Sequence, residues 1–350
     1  FLGGLPQLVY WKIYTGSFIF NSYTNPGEGF DVLSPHIYRS IFSFRKGMLV
    51  YCPMVFFAIA GFVVMYKKQR KLFWAFFAYF IINAYMLSAW TSIYNFGWRA
   101  FVQSYAVLSV PWAFFIDSLF RKKLSYKIIL SLLMAFVIFY NIFQAAQIQK
   151  GVIDGSRMSP EYFLRTFMKL KASEEDRKLL LVKRSASGID TFSNPEDYQS
   201  SRVLQYLDFE NKKENYASRM DTAVAHSGLH SLKMDSTYIY SPGLNLAYRL
   251  ITNKKHAWIR ASVWVYPTSP VEQNDAILVV TFNHKGQPYK YRTVHLSRQD
   301  YIMNEWNELS IDYLTPEVRT KKDKISVYVW YRGKQNIWID DLKVNVYEPL

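Results

Sequence analysis

The chain has 350 residues, half of them hydrophobic and 18% aromatic, with a formal net charge of +15. So much apolar surface excludes a disordered protein, and the length suits two units of roughly 150 residues each. A single cysteine, Cys52, excludes an intrachain disulfide and a multi-cysteine metal site.

The charge is unevenly placed. Residues 1–150 carry 14 Lys and Arg against three acids, Glu28, Asp31 and Asp117, whereas residues 151–350 carry 28 against 24. A basic excess inside the apolar half is a membrane-protein pattern. A nucleic-acid binder would line a soluble face with it, so no nucleic-acid partner is expected. Residues 1–14 (FLGGLPQLVYWKIY) read as the tail of a membrane span. With Phe at position 1 and no basic segment ahead of it, the chain reads as the downstream part of a longer protein. Four further runs are long enough to span a bilayer: Met48–Tyr66, Leu72–Trp90, Phe101–Phe120 and about Lys127–Ala146. The loops Lys67–Lys71 and Arg121–Lys123, with Lys127, are basic and are expected on the cytoplasmic side. The loops 16–46 and 91–100, and everything after residue 150, then lie outside. Asp117 is expected to pair with a cation of Arg121–Lys123.

After residue 150 the composition changes. Ser159-Pro160 suits the start of a helix over 159–172, and Ser173-Glu-Glu-Asp suits a second. LLLVKRS (179–185) reads as a strand. From about Ser201 short apolar or alternating runs follow one another, punctuated by Gly, Pro and Asn: HSLKMD, AWIRASVWVYP, AILVVTFN, YKYRTVHL, WNELSIDYL, KISVYVWYR and IWIDDLKVNVY. This spacing predicts an antiparallel sandwich. The expected fold is multidomain: a polytopic α-helical membrane domain (1–150), a helical linker (151–200) and an extracytoplasmic antiparallel β-sandwich of jelly-roll type (201–350). Trp264 and Tyr266 share one strand face, and Tyr328 and Trp330 another; alternation alone leaves core and cleft open for both. Trp258, Tyr289, Tyr291, Trp306 and Trp338 are further aromatics available for stacking on a sugar. The six His have no HExxH or CxxC context, and neither GxSxG nor a phosphate-binding loop occurs.

Two resemblances follow from quoted segments. PQLVYWKIYTGSF, the GEGF stretch, SIFSFRKGMLVYCPMVFFAIAGF and AWTSIYNFGWRAFVQSYAVLSVPWAFF, in that order over about 4–120, resemble the later membrane half of family 39-type glycosyltransferases with the GT-C fold. These include bacterial relatives of protein O-mannosyltransferases and aminoarabinose transferases. The resemblance implies transfer of a sugar from a polyprenyl-phosphate carrier to a protein, lipid or glycan acceptor, on the outer face of a bacterial inner membrane. The family's catalytic acid lies in an earlier outer loop, expected upstream of Phe1, so no catalytic residue is assigned. The family element places an Arg at Arg99. That guanidinium suits the carrier phosphate, or it anchors a helix end by snorkelling. Arg45 and Lys46 are candidates for the same phosphate. Tyr94 and Trp98 either stack on the sugar or belong to the interfacial aromatic belt.

YLDFEN (206–211), AHSGLHSLKM (225–234) and IWIDDLKV (337–344) resemble carbohydrate-binding-module-like jelly rolls of the galactose-binding-like class. In many relatives the first and last strands hold a structural Ca²⁺. The resemblance makes Asp208, Glu210 and Asp341 its candidate ligands; otherwise Asp340 and Asp341 simply end a strand in solvent. No other cofactor is assigned, and a metal at the transferase active site is left open. Three functions remain: part of a polyprenyl-phosphate-dependent membrane glycosyltransferase; a non-catalytic membrane-anchored glycan-binding or assembly protein; and a transporter or flippase fragment, which would favour paired charges deep within the spans, where only Asp117 comes near.

Overall fold

The computed structural model describes residues 4–20, 29–45, 47–90, 96–185, 189–193, 195–199, 202–212, 214–271 and 274–350; of residues 96–99 only the backbone is described. Two compact units divide the chain, Phe1–Val182 and Lys183–Leu350.

The first unit is helical: α1 (Leu5–Thr15), α2 (Ile37–Phe42), α3 (Met48–Tyr51), α4 (Val55–Lys68), α5 (Arg70–Ala89), α6 (Tyr105–Phe120), α7 (Leu124–Gln149), α8 (Pro160–Arg165) and α9 (Glu174–Arg177). Among the described residues three stretches are long and apolar enough to cross a membrane: Arg70–Ala89, Ala100–Phe120 and Leu124–Gln149. The run 48–66, expected as one span, is instead two helices. Pro53 has no N–H to donate and ends α3, so α4 starts afresh at Val55. The break leaves the carbonyls of Val50 and Tyr51 without helical partners. Amides of α7 replace them: Asn141 Nδ2 donates to the Tyr51 carbonyl at 2.8 Å and Gln144 Nε2 to that of Val50 at 3.3 Å. One turn on, Gln147 Nε2 donates to the carbonyls of Thr166 and Lys169 at 3.0 and 2.7 Å. The polar stripe of this otherwise apolar helix is therefore turned inward. α4 packs along α6 at Gly61, where an added Cβ would stand 1.8 Å from the Pro111 carbonyl oxygen. Asp117 bonds Lys68 as well as Arg121, the latter at 3.5 Å. That pairing brings the two basic loops to the same end of the helical unit.

The predicted helix over 159–172 is shorter than expected. Ser159 caps it, accepting from Tyr162 N at 3.0 Å, but the helix stops at Arg165 and Met168 takes a positive φ of 55°. Ser173 and Asp176 form a full capping box on α9. Residues 179–185 form no strand: the Leu181 N–H donates to the Arg157 carbonyl at 2.8 Å, and the Leu181 carbonyl accepts from Arg157 Nε at 2.7 Å.

The second unit is two antiparallel sheets. One runs β2 (Met220–Asp221), β3 (Ser231–Met234), β10 (Ile337–Tyr347), β5 (Trp258–Pro267), β8 (Asn307–Leu314), with β1 (Arg202–Leu207) also paired to β10. The other runs β4 (Leu244–Ala247), β9 (Lys324–Arg332), β6 (Asp275–His284), β7 (Gln287–His295). All seven expected strand runs are found, and β1, β2 and β4 are additional. Alternation on β5, β9 and β10 sends Val263, Val265, Val327, Val329, Ile339 and Val344 into one shared core, each fully buried. The β6–β7 hairpin closes on Lys285-Gly286, both at positive φ (50° and 83°), as a two-residue turn of this hand requires.

Residues 183–199, expected within a helical linker, are stitched to the sandwich. Arg184 Nη2 donates to the Thr315 carbonyl at 3.0 Å, and Gln199 N to that of Glu348 at 2.8 Å. Phe192 and Tyr198 lie against Trp258 on the outer face of the six-stranded sheet.

Candidate functional site

Cross-strand register decides which side chains share a face. On β9, Ile325, Val327, Val329 and Tyr331 point into the core, so Ser326, Tyr328, Trp330 and Arg332 point out. Their direct neighbours on β6 are Thr281, Val279, Ile277 and Asp275, and beyond these on β7 lie Tyr291, Thr293 and His295. Tyr240 bridges to Trp330 from the other side, and Asn245 faces Ser326. The outer face of the four-stranded sheet is thus a grid of aromatic and hydroxyl or amide side chains. Ile277, Val279 and Thr281 are 1%, 5% and 7% exposed although they face away from the core, so neighbouring side chains cover them. Above them rings stand in solvent, with Tyr240 52% and Tyr291 56% exposed.

The rings form one row. Tyr240 lies nearly parallel to Trp330 with centroids 6.3 Å apart, and edge-on to Tyr328 at 5.8 Å. The Arg332 guanidinium stands 5.1 Å over Trp330. Gly243, just ahead of β4, has the β9 backbone where a side chain would be: an added Cβ would stand 1.9 Å from the Val327 carbonyl oxygen, so the chain approaches β9 here only with glycine. The one carboxylate in the grid, Asp275, is tied to His295 Nδ1 at 2.6 Å and to the Ser297 N–H at 2.9 Å. This face offers ring surfaces and hydrogen-bonding groups. Alternation had placed Tyr328 and Trp330 together but could not say that their face is open; only the sheet pairing does. Tyr240, outside any regular strand, had no sequence signal.

The second expected aromatic pair, Trp264 and Tyr266, faces out from the other sheet. There His226 stacks on Trp264 at 4.1 Å, and Tyr266 meets Trp306 and Trp338 edge-on. Trp258 is buried beneath Phe192 and Tyr198, and Tyr289 belongs to the core.

The expected calcium ligands assemble differently. Glu210 Oε1 accepts the N–H groups of Leu229 and His230 at 2.6 and 2.7 Å, and its Oε2 pairs with His230 Nδ1 at 2.7 Å. The His230 ring first, then these backbone donors, hold Glu210 below the usual carboxylate range. Asp341 takes the hydroxyls of Tyr206 and Ser227 and, at 2.6 Å, His226 Nδ1. Asp208 accepts the Glu210 N–H at 3.2 Å. Among the described residues no group of three or more His, Cys, Asp or Glu could hold a metal ion. These lone pairs face protein donors, not a common centre, so the residues do not fit the expected Ca²⁺. Nor do Asp340 and Asp341 end a strand in solvent. They form a bulge in β10, with Asp341 at φ 48°, and Asp340 is fully buried under the 226–227 backbone, accepting its N–H groups at 2.9 and 3.2 Å. Burial lifts Asp340 to about 6, the neighbouring backbone donors notwithstanding.

Of the residues expected to hold a carrier phosphate or sugar, Lys46 and Tyr94 lie outside the described residues. Trp98 and Arg99 lie in a 3₁₀ segment, Phe96–Ser104, with their side chains outside the description. Arg45 Nε donates to the Ser156 carbonyl.

No family model matches the chain, and no curated protein matches it. Among solved structures it is similar to a family 16 carbohydrate-binding module (10% identity, 36% of this chain and 82% of that one, TM-score 0.26). It is also similar to the CBM22-1 xylan-binding domain of Paenibacillus barcinonensis Xyn10C (14% identity, 43% and 99%, TM-score 0.30) and to the CBM22-2 domain of the same protein (14%, 45% and 93%, TM-score 0.26). The C-terminal β-sandwich thus resembles carbohydrate-binding modules at low identity, a likeness of fold alone. The glycosyltransferase resemblance of residues 4–120 finds no support in these comparisons.

Proposed function

We propose that this chain is a membrane-anchored carbohydrate-binding protein whose sandwich holds a glycan along the outer face of its four-stranded sheet. The observation that carries this reading is the aromatic row Tyr240, Tyr328 and Trp330 on that face, with Tyr240 and Tyr291 more than half exposed, which would line the groove for the glycan. The C–H faces of a pyranose pack on aromatic rings, and its hydroxyls bond to groups such as Asn245, Ser326 and Thr293.

The anchor rests on the helical unit. α7 exposes apolar side chains on several sides, among them Ile129 at 62%, Leu132 at 65% and Ile142 at 65%. A helix that is apolar nearly all round requires lipid or protein around it. With Lys67–Lys71 and Arg121–Lys123 at one end, that end is cytoplasmic in a bacterial inner membrane and residues after 150 are extracytoplasmic.

Affinity electrophoresis of the full chain in detergent, through gels holding xylan, mixed-linkage β-glucan or mannan, tests the binding reading. At least one polysaccharide should retard the wild type, and Trp330→Ala and Tyr240→Ala should each run free. Retardation that survives both substitutions, or none with any polysaccharide, rejects the groove.

A second reading keeps the polyprenyl-phosphate glycosyltransferase. It is favoured by the ordered elements over about 4–120, with Arg99, Arg45 and Lys46 on the carrier phosphate and the sandwich holding acceptor or product. In the full-length protein Arg99→Ala should then abolish transfer while membrane insertion persists; wild-type transfer in that variant removes the role.

A further inference from the structure

The sandwich has a concavity away from the proposed groove. A cavity of about 340 Å³ opens beside β2 and is lined by Lys212, Ala217, Met220, Asp221, Thr222 and His230. It lies at the edge of the six-stranded sheet, whereas the groove lies on the four-stranded one. Its volume falls at the small end of the range for ligand pockets.

Its polar groups are held in place. His230 is fixed twice by Glu210, through its backbone N–H and through Nδ1, both at 2.7 Å. Asp221 accepts from Trp338 Nε1 at 3.1 Å and from the Ala223 N–H at 3.0 Å, one bond to each carboxylate oxygen. Each oxygen therefore keeps acceptor capacity. Lys212 forms no ion pair among the described residues and brings three donors. Met220 and Ala217 supply an apolar wall. The two formal charges in the lining, Lys212 and Asp221, cancel, which disfavours a strongly anionic or cationic ligand. What fits is a neutral, compact molecule with hydroxyls that both donate and accept and with one apolar face.

We infer that this cavity is a second carbohydrate site, one that takes a single terminal pyranose of a glycan. The inference rests on the carbohydrate-binding reading of the sandwich and adds a different geometry to it. The aromatic row lies along a sheet face, whereas the cavity is a concavity of about 340 Å³ at a sheet edge, a volume that suits one ring. Hydroxyls of the sugar donate to Asp221 and accept from Lys212 and Thr222, and Met220 meets its C–H face. Trp338 reports occupancy, because its indole N–H is bonded to the carboxylate that would receive the sugar.

The test is ¹⁹F NMR of the full chain in detergent micelles, labelled with 5-fluorotryptophan, with Trp338 and Trp330 assigned by Trp→Phe variants. The probes are the methyl glycosides of glucose, galactose, mannose, xylose and N-acetylglucosamine, and linear hexasaccharides of xylose and glucose. At least one methyl glycoside should shift Trp338 saturably, and Lys212→Ala and Thr222→Ala should each raise its half-saturation concentration at least tenfold. If hexasaccharides move Trp330 while no glycoside moves Trp338, the pocket is rejected and the groove stands. Movement of Trp338 alone supports the pocket and rejects the groove, and silence at both rejects both. A Trp338 shift that is unchanged in Lys212→Ala and Thr222→Ala also overturns the pocket.

Discussion

Titrating His256 should destabilise the sandwich in acid, by an amount the local geometry sets. Trp258 Nε1 donates to the Tyr198 hydroxyl at 3.0 Å, and that hydroxyl lies 3.2 Å from His256 Nε2. Having accepted from the indole, Tyr198 directs its own proton at Nε2, which must then be unprotonated. Burial, and then the nearby Arg184 cation, push His256 down from 6.5 to about 4. A depressed folded value contributes stability that is present above pH 6.5 and lost as the pH falls through 4. The gap between 6.5 and about 4, at 1.36 kcal/mol per factor of ten, is about 3 kcal/mol. Because the ring is only partly buried, roughly 2 kcal/mol is the figure to expect. For a unit of this size that is a Tm change of roughly 4–8 °C. The measurement is tryptophan-fluorescence unfolding of wild type and His256→Gln, in detergent, from pH 7.5 to 4. The variant keeps an amide acceptor near Tyr198 but cannot titrate. Wild type should lose about 2 kcal/mol more than the variant over this range. Parallel profiles would refute the hydrogen-bond chain and the burial of a neutral ring.

Three other outcomes are expected. Asp340, lifted to about 6, contributes stability that is present below 3.8 and lost as the pH rises through 6. The stability of Asp340→Asn relative to wild type should therefore climb by about 2–3 kcal/mol between pH 4 and 7, and a flat difference would contradict it. Gly61→Ala drives a methyl group into the Pro111 carbonyl and should lower the stability of the helical unit by about 2 kcal/mol or more, read as loss of thermostability in detergent by size-exclusion chromatography. Phe282, fully buried and stacked on Tyr313 at 6.0 Å, should cost about 3–5 kcal/mol when replaced by Ala, measured by denaturant unfolding of the sandwich.

What was legible in the sequence is what depends on neighbouring residues. Apolar length marked α5, α6 and α7, because a helix in hydrocarbon needs about 20 apolar residues whatever surrounds it. Period-two alternation marked β5 to β10, and Ser159 and Ser173 marked two helix starts through caps that act within three residues. The run 48–66 misled because its apolar content is continuous while Pro53 interrupts its hydrogen bonds, and the repair comes from Asn141 and Gln144 some 90 residues on.

Tertiary structure decided everything that depends on which strand lies beside which. Alternation separates the two faces of a strand but does not say which one the sheet buries. Trp258 and Trp330 read alike as sequence; one is sealed under Phe192 and Tyr198, and the other lies in an aromatic row on the outer face because β4, β6 and Tyr240 happen to flank it. The carboxylates diverged for the same reason. Glu210 and Asp341 have the composition of a calcium site, yet the loop 226–230 supplies N–H, hydroxyl and imidazole donors to them, so the two carboxylates turn to separate protein donors and share no common centre.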